Sequence, residues 1–361
     1  MSYVEPALAP DSGRTPLRHL TLHHQGRKRR LGLKLEACGT TGSVKDRTAR
    51  GLLDALSRER PMAPGTVIVE STSGNLGLAL ARLAPRFGCA FLAVVDPKTP
   101  PATRRTLADG GARVVVVEQP DGQGGYLLSR LRAVRDLCAE NPRYRWPNQY
   151  ENRASPEVHR VTTGPELTQQ AGPELGAVYV PVSTGGTFAG IHAHLRAHSP
   201  GVAAVAVDLK GSLAVGGRAG RRLIPGIGAS RPSSFLVGTF AEDPHARVAH
   251  VDDAEAIAVC RILAEDLGLA LGGSSGCALR ALLADLERDA VGEGLPVCLA
   301  ADGGAKYRDT LYSDVWAAEQ GVAGEIADAA RRLRADGLRF SLPAPRGATA
   351  HPPQPQEPRR T

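Results

Sequence analysis

Apolar and polar residues alternate in blocks along most of this 361-residue chain. Short apolar runs, several of them rich in β-branched residues, predict buried strands at residues 31–35, 66–69, 91–95, 114–117, 178–182, 202–207 and 296–299. Segments with helical patterns lie between most of these runs, at residues 76–84, 103–107, 126–139, 156–171, 189–197, 254–267 and 277–286. Because strands and helices alternate, the pattern predicts an α/β fold with a mostly parallel sheet.

The stretch from Thr66 to Ala84 shows this pattern most clearly, as an apolar strand, a short polar turn and a helix. Thr72, Ser73 and Asn75 in the turn can donate side-chain hydrogen bonds, and two glycines let a ligand approach the backbone. Free backbone N–H groups and the positive end of the helix dipole meet at such a turn. It suits a small carboxylate, although the motif alone equally describes an ordinary turn with good capping residues.

Two further Gly-rich turns stand between a strand and a helix. Residues Ser183 to Thr187 read S-T-G-G-T, and their hydroxyls and bare N–H groups suit a phosphate dianion. They form neither a P-loop nor G-x-G-x-x-G, so a dinucleotide is disfavoured. Gly272 to Gly276 read G-G-S-S-G, for which a serine helix N-cap is the alternative to a binding role.

A lysine stands at an unfavourable place in the segment G-S-V-K-D-R. Ser43 is predicted to be the N-cap of a helix that runs to about Arg60, so Lys45 falls in the first turn, against the helix dipole. The common explanation is a surface lysine paired with Asp46 or Glu36. The functional explanation is an amine that burial near another positive field keeps neutral, so that it can bond covalently to a carbonyl compound.

Composition narrows the class of protein. The chain is 42% hydrophobic and 22% charged, which is ordinary for a globular enzyme. Its 361 residues are enough for two domains. Six cysteines without C-x-x-C spacing, and the lack of an apolar signal or membrane run, predict a cytoplasmic protein with reduced thiols, no membrane partner and no metal site. The net charge is +7, but the basic run at residues 27–30 is predicted to be a solvated turn. Because no aromatic residues that could stack on bases interleave with this basic run, nucleic acid is not an expected partner.

Taken in order, the lysine segment, the S-T-S-G-N-L-G turn, the S-T-G-G-T turn and the G-G-S-S-G turn resemble the motifs of fold-type II pyridoxal-phosphate enzymes of the cysteine synthase and cystathionine β-synthase family. The resemblance covers residues 14 to 317. It implies a tryptophan synthase β-like α/β fold with two three-layer αβα domains and mostly parallel sheets. The implied domains are a large cofactor-binding domain of residues 1–47 and 151–340 and a small mobile substrate domain of residues 48–150. A homodimer is also implied, and the Pro-rich tail at 341–361 is predicted to be disordered.

The same resemblance implies the roles of single residues. Pyridoxal 5'-phosphate would be held covalently by Lys45, which would also move the substrate proton. Asn75 would bond the ring hydroxyl, and Ser274 would face the pyridine nitrogen. A serine there leaves the ring largely unprotonated, which favours β-replacement over transamination. The phosphate would be bound by Ser183, Thr184, Gly185, Gly186 and Thr187, and the substrate carboxylate by Thr72, Ser73 and Gln149.

A closer resemblance is to a branch of that family that joins O-phospho-L-serine to the amine of L-glutamate, towards 2,3-diaminopropionate for siderophores or antibiotics. It rests on segments such as P-G-I-G-A-S-R at 225–231 and N-Q-Y at 148–150. In this branch Arg130, Tyr150 and Ser183 stand where cysteine synthases differ. An arginine can clamp a phosphate or a carboxylate, although an exposed helix residue is the alternative for Arg130. A cysteine synthase that uses sulfide, and a non-catalytic protein that binds the cofactor, remain open as functions.

One departure from the family pattern precedes the lysine. Gly39 and Thr40 stand where the family usually has Asn-Pro. The lost asparagine side chain is expected to alter how this loop closes on the substrate.

Overall fold

The computed structural model of the chain describes residues 13–72, 74–121 and 125–343. The strands in this part are β1 Leu17–His24, β2 Arg27–Leu35, β3 Val67–Ser71, β4 Ala90–Val95, β5 Arg113–Val116, β6 Tyr144–Arg145, β7 Leu175–Pro181, β8 Ala203–Leu209, β9 Ala246–Val251, β10 Leu295–Ala300 and β11 Arg339–Ser341. The α-helices are α1 Lys45–Glu59, α2 Asn75–Leu83, α3 Pro101–Asp109, α4 Leu127–Glu140, α5 Ala154–Val161, α6 Thr163–Ala171, α7 Gly186–His198, α8 Thr239–Glu242, α9 Asp253–Leu267, α10 Gly273–Glu287, α11 Asp314–Glu319 and α12 Ala323–Ala335.

Seven strands form one sheet in the order β11-β1-β2-β10-β7-β8-β9. The strands from β2 to β9 in this order are parallel, while β1 pairs antiparallel with both β2 and β11. Side chains alternate between the faces, so that Tyr179 packs in one apolar cluster and Val178 and Val180 in another. Helices α9, α10 and α12 belong to the first cluster, and α6 and α7 to the second. The sheet is therefore the middle of three layers.

A second, four-stranded sheet has the order β5-β4-β3-β6, and all its strands are parallel. In β4, Phe91, Ala93 and Val95 pack with α1 and α2, whereas Leu92 and Val94 pack with α4 on the other face. This sheet too lies between two layers of helices. The predicted α/β class, with two αβα units and mostly parallel sheets, is confirmed.

Three local predictions are wrong. The predicted helix at 156–171 is two helices that meet at Thr162, because Pro165 lacks a backbone N–H and fits only the first turn of a new helix. The basic run at 27–30 begins β2, and the turn lies just before it at Gln25 and Gly26, both with positive φ. Ser341, the first residue of the predicted disordered tail, belongs to β11. Residues 344–361 of that tail lie outside the described residues.

A buried cluster of four charges, Lys34, Glu36, Arg47 and Glu166, fixes the start of α1. The Arg47 guanidinium donates two hydrogen bonds of 2.7 Å to Glu166 and one of 2.8 Å to Glu36. The ammonium of Lys34, whose side chain is 0% exposed, lies 2.6 Å from Glu166 Oε2. Two positive and two negative charges cancel, so the cluster anchors the helix without leaving an unpaired ion.

Candidate active site

Three turns that carry predicted site residues each lead directly into a helix. The turn after β3 opens α2 at Asn75, the turn after β7 opens α7 at Gly186, and Gly272 caps α10. In an open parallel sheet the carboxyl ends of the strands lie at one edge, where ligands bind. The turns after β3 and β7 are therefore at the ends of their sheets where a ligand is expected.

Lys45 is the first residue of α1, and Val44, not Ser43, holds the N-cap position. The Ser43 hydroxyl still accepts a hydrogen bond of 3.3 Å from the Lys45 N–H. Burial lowers the pKa of Lys45 to about 8, while Asp302 raises it and Lys306 lowers it further. An amine with this pKa is partly neutral near neutral pH, as a nucleophile must be.

The predicted alternative, a surface Lys45 paired with Asp46 or Glu36, is not found among the described residues. Asp46 accepts hydrogen bonds from the backbone N–H of Thr41, at 2.8 Å, and from its hydroxyl. Glu36 is bound to Arg47 at 2.8 Å. Asp46 also explains the departure at Gly39, because a Cβ there would lie 2.5 Å from Asp46 Oδ2. The turn before Lys45 is therefore held by the bonds between Thr41 and Asp46.

The turn at 183–187 offers backbone donors at the start of α7. Gly185 is the N-cap with φ +92°, a conformation that favours glycine. In the described part of the chain, the N–H groups of Gly186 and Thr187 have no hydrogen-bond acceptor. Free N–H groups at a helix N-terminus suit a phosphate, so this turn fits the phosphate-bearing cofactor that the motifs imply.

Hydrogen bonds to a neighbouring segment fix the shape of the turn. Ser183 Oγ donates to the carbonyl of Gly228 at 3.0 Å, and Ser233 Oγ donates to the carbonyl of Thr184 at 2.7 Å. A Cβ at Gly185 would overlap Ser233 Oγ. The Thr184 carbonyl is thus turned towards the protein, and the N–H groups of Gly186 and Thr187 remain for a ligand.

His159 connects this turn to the lysine helix, and sequence reasoning missed it. Its Nε2 lies 3.0 Å from Thr48 Oγ1 and 3.3 Å from Thr187 Oγ1, and its Nδ1 lies 2.9 Å from Thr163 Oγ1. Burial lowers the pKa of His159 well below its usual range, and the charges of Lys45 and Arg47 add to the effect. The imidazole is therefore neutral and joins the starts of α1, α6 and α7. The H-x-x-x-T spacing in 159–163 was the available signal.

Ser274 is buried in the first turn of α10. The alternative of an ordinary serine N-cap is wrong, because Gly272 holds the cap position and no side chain caps the helix. A Cβ at Gly273 would lie 2.6 Å from a methyl group of Ile224. The glycines let the turn pack closely and leave the hydroxyl of Ser274 in the first helical turn.

Two predicted substrate residues converge on the end of β3. The hydroxyl of Thr72 accepts a hydrogen bond of 2.9 Å from Gly77 N–H, which shapes the turn. Gln149 donates from Nε2 to the carbonyl of Ser71 at 3.1 Å, and its side-chain oxygen makes no recorded bond within the described residues. Ser73, between Thr72 and the helix, lies outside the described residues.

Glu70 supports Gln149 and was also missed. Its carboxylate accepts hydrogen bonds from Trp146 Nε1 at 3.0 Å, from Gln149 N–H at 3.2 Å and from Ser71 N–H at 2.9 Å. Burial raises the pKa of Glu70 to about 7 in spite of these donors. A charged residue at the end of an apolar strand was the signal in the sequence.

Arg130 and Tyr150 lie close together, while Ser183 points elsewhere. Arg130 is 8% exposed, and its Nε lies 3.2 Å from Asp96 Oδ2, so the exposed-residue alternative is wrong. Burial raises the pKa of Tyr150, and the charge of Arg130 opposes that rise. The guanidinium of Arg231 lies 5.2 Å from the centre of the Tyr150 ring. Together these residues place two guanidinium groups around one phenol.

Asn75 contacts two residues that sequence reasoning did not assign to the site. Its Nδ2 donates to Asp302 Oδ2 at 2.8 Å, and its Oδ1 accepts from the ammonium of Lys306. Both contacts span more than 200 residues of sequence. The sequence offered only the outline of a family motif at residues 302–307, with no link to Asn75.

Comparisons with known proteins show which family the chain belongs to. The family model described as pyridoxal-phosphate dependent enzyme matches residues 8–303. A curated relative from Ralstonia nicotianae, named N-(2-amino-2-carboxyethyl)-L-glutamate synthase, is 41% identical over 306 residues, which are 85% of this chain and 89% of the relative.

Solved structures of similar fold are also found. A hydrogen sulfide-producing enzyme from Fusobacterium nucleatum superposes with a TM-score of 0.77 at 25% identity, covering 93% of this chain and 95% of that one. An O-acetylserine dependent cystathionine β-synthase from Helicobacter pylori has a TM-score of 0.71 at 28% identity, covering 82% of this chain and 94% of that one.

Proposed function

This chain belongs to the family of pyridoxal-phosphate dependent enzymes, and from that membership we propose a β-replacement between two amino acids. O-phospho-L-serine and the amine of L-glutamate would give N-(2-amino-2-carboxyethyl)-L-glutamate and phosphate. The likeness to the synthase named for that product carries the proposal. The buried Arg130 guanidinium, whose charge acts on Tyr150, supports it, because an arginine can bind a phosphate or a carboxylate.

The residues of this chain would divide the work as follows. Lys45 would hold the cofactor covalently, the turn at 183–187 its phosphate, and Asn75 and Ser274 its ring. When bound, the cofactor supplies an electron sink for the α-carbon of the substrate. Lys45, with a pKa of about 8, would take the α-proton as a general base and return it as an acid.

The two substrates would occupy the space between the turn after β3 and the Arg130 cluster. Thr72, Ser73 and Gln149 would hold the carboxylate of O-phospho-L-serine. Its Cβ–O bond breaks as phosphate leaves, and a Cβ–N bond to glutamate forms in its place. Arg130 and Tyr150 would bind the phosphate or the carboxylates of glutamate.

A cysteine synthase is the second candidate. It is favoured by the likeness to a hydrogen sulfide-producing enzyme and to an O-acetylserine dependent enzyme. Sulfide would then replace glutamate as the nucleophile, and acetate could replace phosphate as the leaving group.

A competition followed by mass spectrometry separates the two. Enzyme and pyridoxal phosphate are mixed with O-phospho-L-serine, and glutamate and sulfide are offered together. The glutamate adduct with release of phosphate is the expected result, and Lys45→Ala should abolish it. Cysteine as the sole product would refute the proposal and favour the sulfhydrylase. A response to O-acetylserine alone would correct the leaving group.

We also propose how the enzyme is organised. Residues 48–150 would form the small mobile domain, since all strands of the four-stranded sheet lie within them, and one boundary falls in the first turn of α1. A homodimer is proposed from the family, to be tested by light scattering. In the described residues, no helix is long and apolar enough to cross a membrane. All six cysteines are free, which supports a cytoplasmic location. A place in siderophore or antibiotic synthesis is proposed from the likeness to the named synthase alone.

A further inference from the structure

The segment from Ala301 to Tyr307 has no part in the proposed reaction, yet it lies between several parts of the site. On one side the carbonyl of Ala301 accepts a hydrogen bond of 2.8 Å from the N–H of Val44, directly before Lys45. On the other side the carbonyl of Asp302 accepts one of 3.0 Å from the N–H of Gly272, two residues before Ser274. The backbone of this segment therefore connects the lysine turn to the serine turn.

The Asp302 side chain extends the connection to Asn75. Asp302 is 3% exposed, and its Oδ2 is 2.8 Å from Asn75 Nδ2, 2.7 Å from the Tyr307 hydroxyl and 2.8 Å from the Lys306 ammonium. Its Oδ1 has no hydrogen-bond partner in the part of the chain that the structure describes. A buried carboxylate is costly unless donors surround it, and here all three donors meet one oxygen.

These contacts fix the orientation of the Asn75 amide. The NH₂ group faces the carboxylate of Asp302, and the oxygen faces the ammonium of Lys306. Rotating the amide by half a turn would put donor against donor and acceptor against acceptor, so only one orientation is compatible. One N–H of Asn75 remains for a ligand.

We propose that Asp302 and Lys306 are positioning residues that hold the Asn75 amide in one orientation, so that its remaining N–H is presented to the cofactor. They also place opposite charges near the Lys45 amine, and they join the start of α2, beside the four-stranded sheet, to the lysine turn. This inference concerns how the chain holds its cofactor, so it stands whichever nucleophile the enzyme uses.

Because the two charges are opposite, a test can distinguish their effect on Lys45 from a loss of packing. Asp302 raises the pKa of Lys45 and Lys306 lowers it. Removing the two charges singly should therefore move the titration of Lys45 in opposite directions. A loss of packing would affect both variants in the same way.

The test uses apoenzyme titrated with pyridoxal phosphate, with the dissociation constant from fluorescence and the attachment rate from absorbance between about pH 6.5 and about pH 9.5. Lys306→Met should weaken cofactor binding about tenfold and raise the pH midpoint of attachment by about half a unit. Asp302→Asn should lower that midpoint. Lys306→Arg, which keeps charge and donors, should stay near wild type, and Lys28→Met controls for the loss of an exposed lysine.

A double-mutant cycle tests whether Lys306 acts through Asn75. In an Asn75→Ala background, measured at about pH 9.5 so that the Lys45 amine is largely neutral in every variant, Lys306→Met should add no further loss of affinity. Should Lys306→Met not fold, Lys306→Gln removes the charge and keeps a donor for the amide. Wild-type affinity in the folded variant, additive losses in the cycle, or midpoints that move in the same direction would each overturn the proposal.

Discussion

Gly185→Ala tests the phosphate turn most directly. The residue has φ +92°, which costs an L-residue about 1–2 kcal/mol. The added Cβ would overlap Ser233 Oγ and lie 3.0 Å from Ser233 Cβ. Crowding of this kind costs about 1–3 kcal/mol more. The turn can escape both penalties only by moving, which displaces the N–H groups offered to the phosphate.

We therefore expect Gly185→Ala to weaken pyridoxal phosphate binding by about 2–5 kcal/mol, or roughly 30- to 5,000-fold. The assay is fluorescence titration of apoenzyme, with thermal unfolding as a check on folding. Ser233→Ala removes the overlapping oxygen, so it should restore part of the affinity in the double variant but leave the backbone strain. Gly201→Ala is the matched control, because its Cβ would meet nothing within 4 Å.

Two results would refute this reasoning. Wild-type affinity in Gly185→Ala would mean that the turn does not bind the phosphate in the conformation described. A double variant that recovers nothing would mean that contact with Ser233 is not the source of the loss.

Three further predictions concern other parts of the site. Arg130→Lys keeps the charge but loses the planar fork, so KM for O-phospho-L-serine or glutamate should rise about 10- to 100-fold with the cofactor spectrum unchanged, whereas Arg132→Lys on the exposed face of α4 should change nothing. Burial raises the pKa of Glu70 to about 7. At pH values between the unfolded pKa of this glutamate and about 7, the folded protein holds a proton that the unfolded chain has lost. The unfolding free energy of the wild type should therefore fall by about 3 kcal/mol as the pH rises through this window. Urea titrations of Glu70→Gln should lack this decrease, and parallel curves for the two proteins would contradict the assignment. Lys34→Met leaves Glu36 and Glu166 with only Arg47, so the urea unfolding free energy should drop by about 3–5 kcal/mol; a drop under about 1 kcal/mol would show that the ion is dispensable.

The sequence predicted what local pattern controls. The alternation of strands and helices indicated the α/β class, and the turns before Asn75, Gly186 and Ser274 lie where small residues follow an apolar run. Lys45 was placed within one residue of its helix start. In each case the residues that determine the structure are neighbours in sequence.

The remainder depended on contacts between distant segments. Arg130 could be assigned to the interior only once Asp96, at the end of β4, was seen beside it. Strand β1 was hard to recognise because polar residues interrupt its apolar pattern. Pairing on both sides, with β2 and β11, stabilises it in spite of that mixed pattern. Asp302 heads a segment that matches a family motif only in outline, and its importance lies in the side chains of Asn75, Tyr307 and Lys306 that surround it.

Lys34, Glu36, Arg47 and Glu166 cancel one another's charge in a volume closed to water. A mutant library that replaces these charges one position at a time can reach an apolar cluster only through variants that carry a net buried charge. Exchanging all four together for apolar residues of equal volume avoids those intermediates, because whole buried ion sets can often be replaced at little cost. Anyone who redesigns the helix that begins at Lys45 has to treat these positions, from three separate segments, as a single choice.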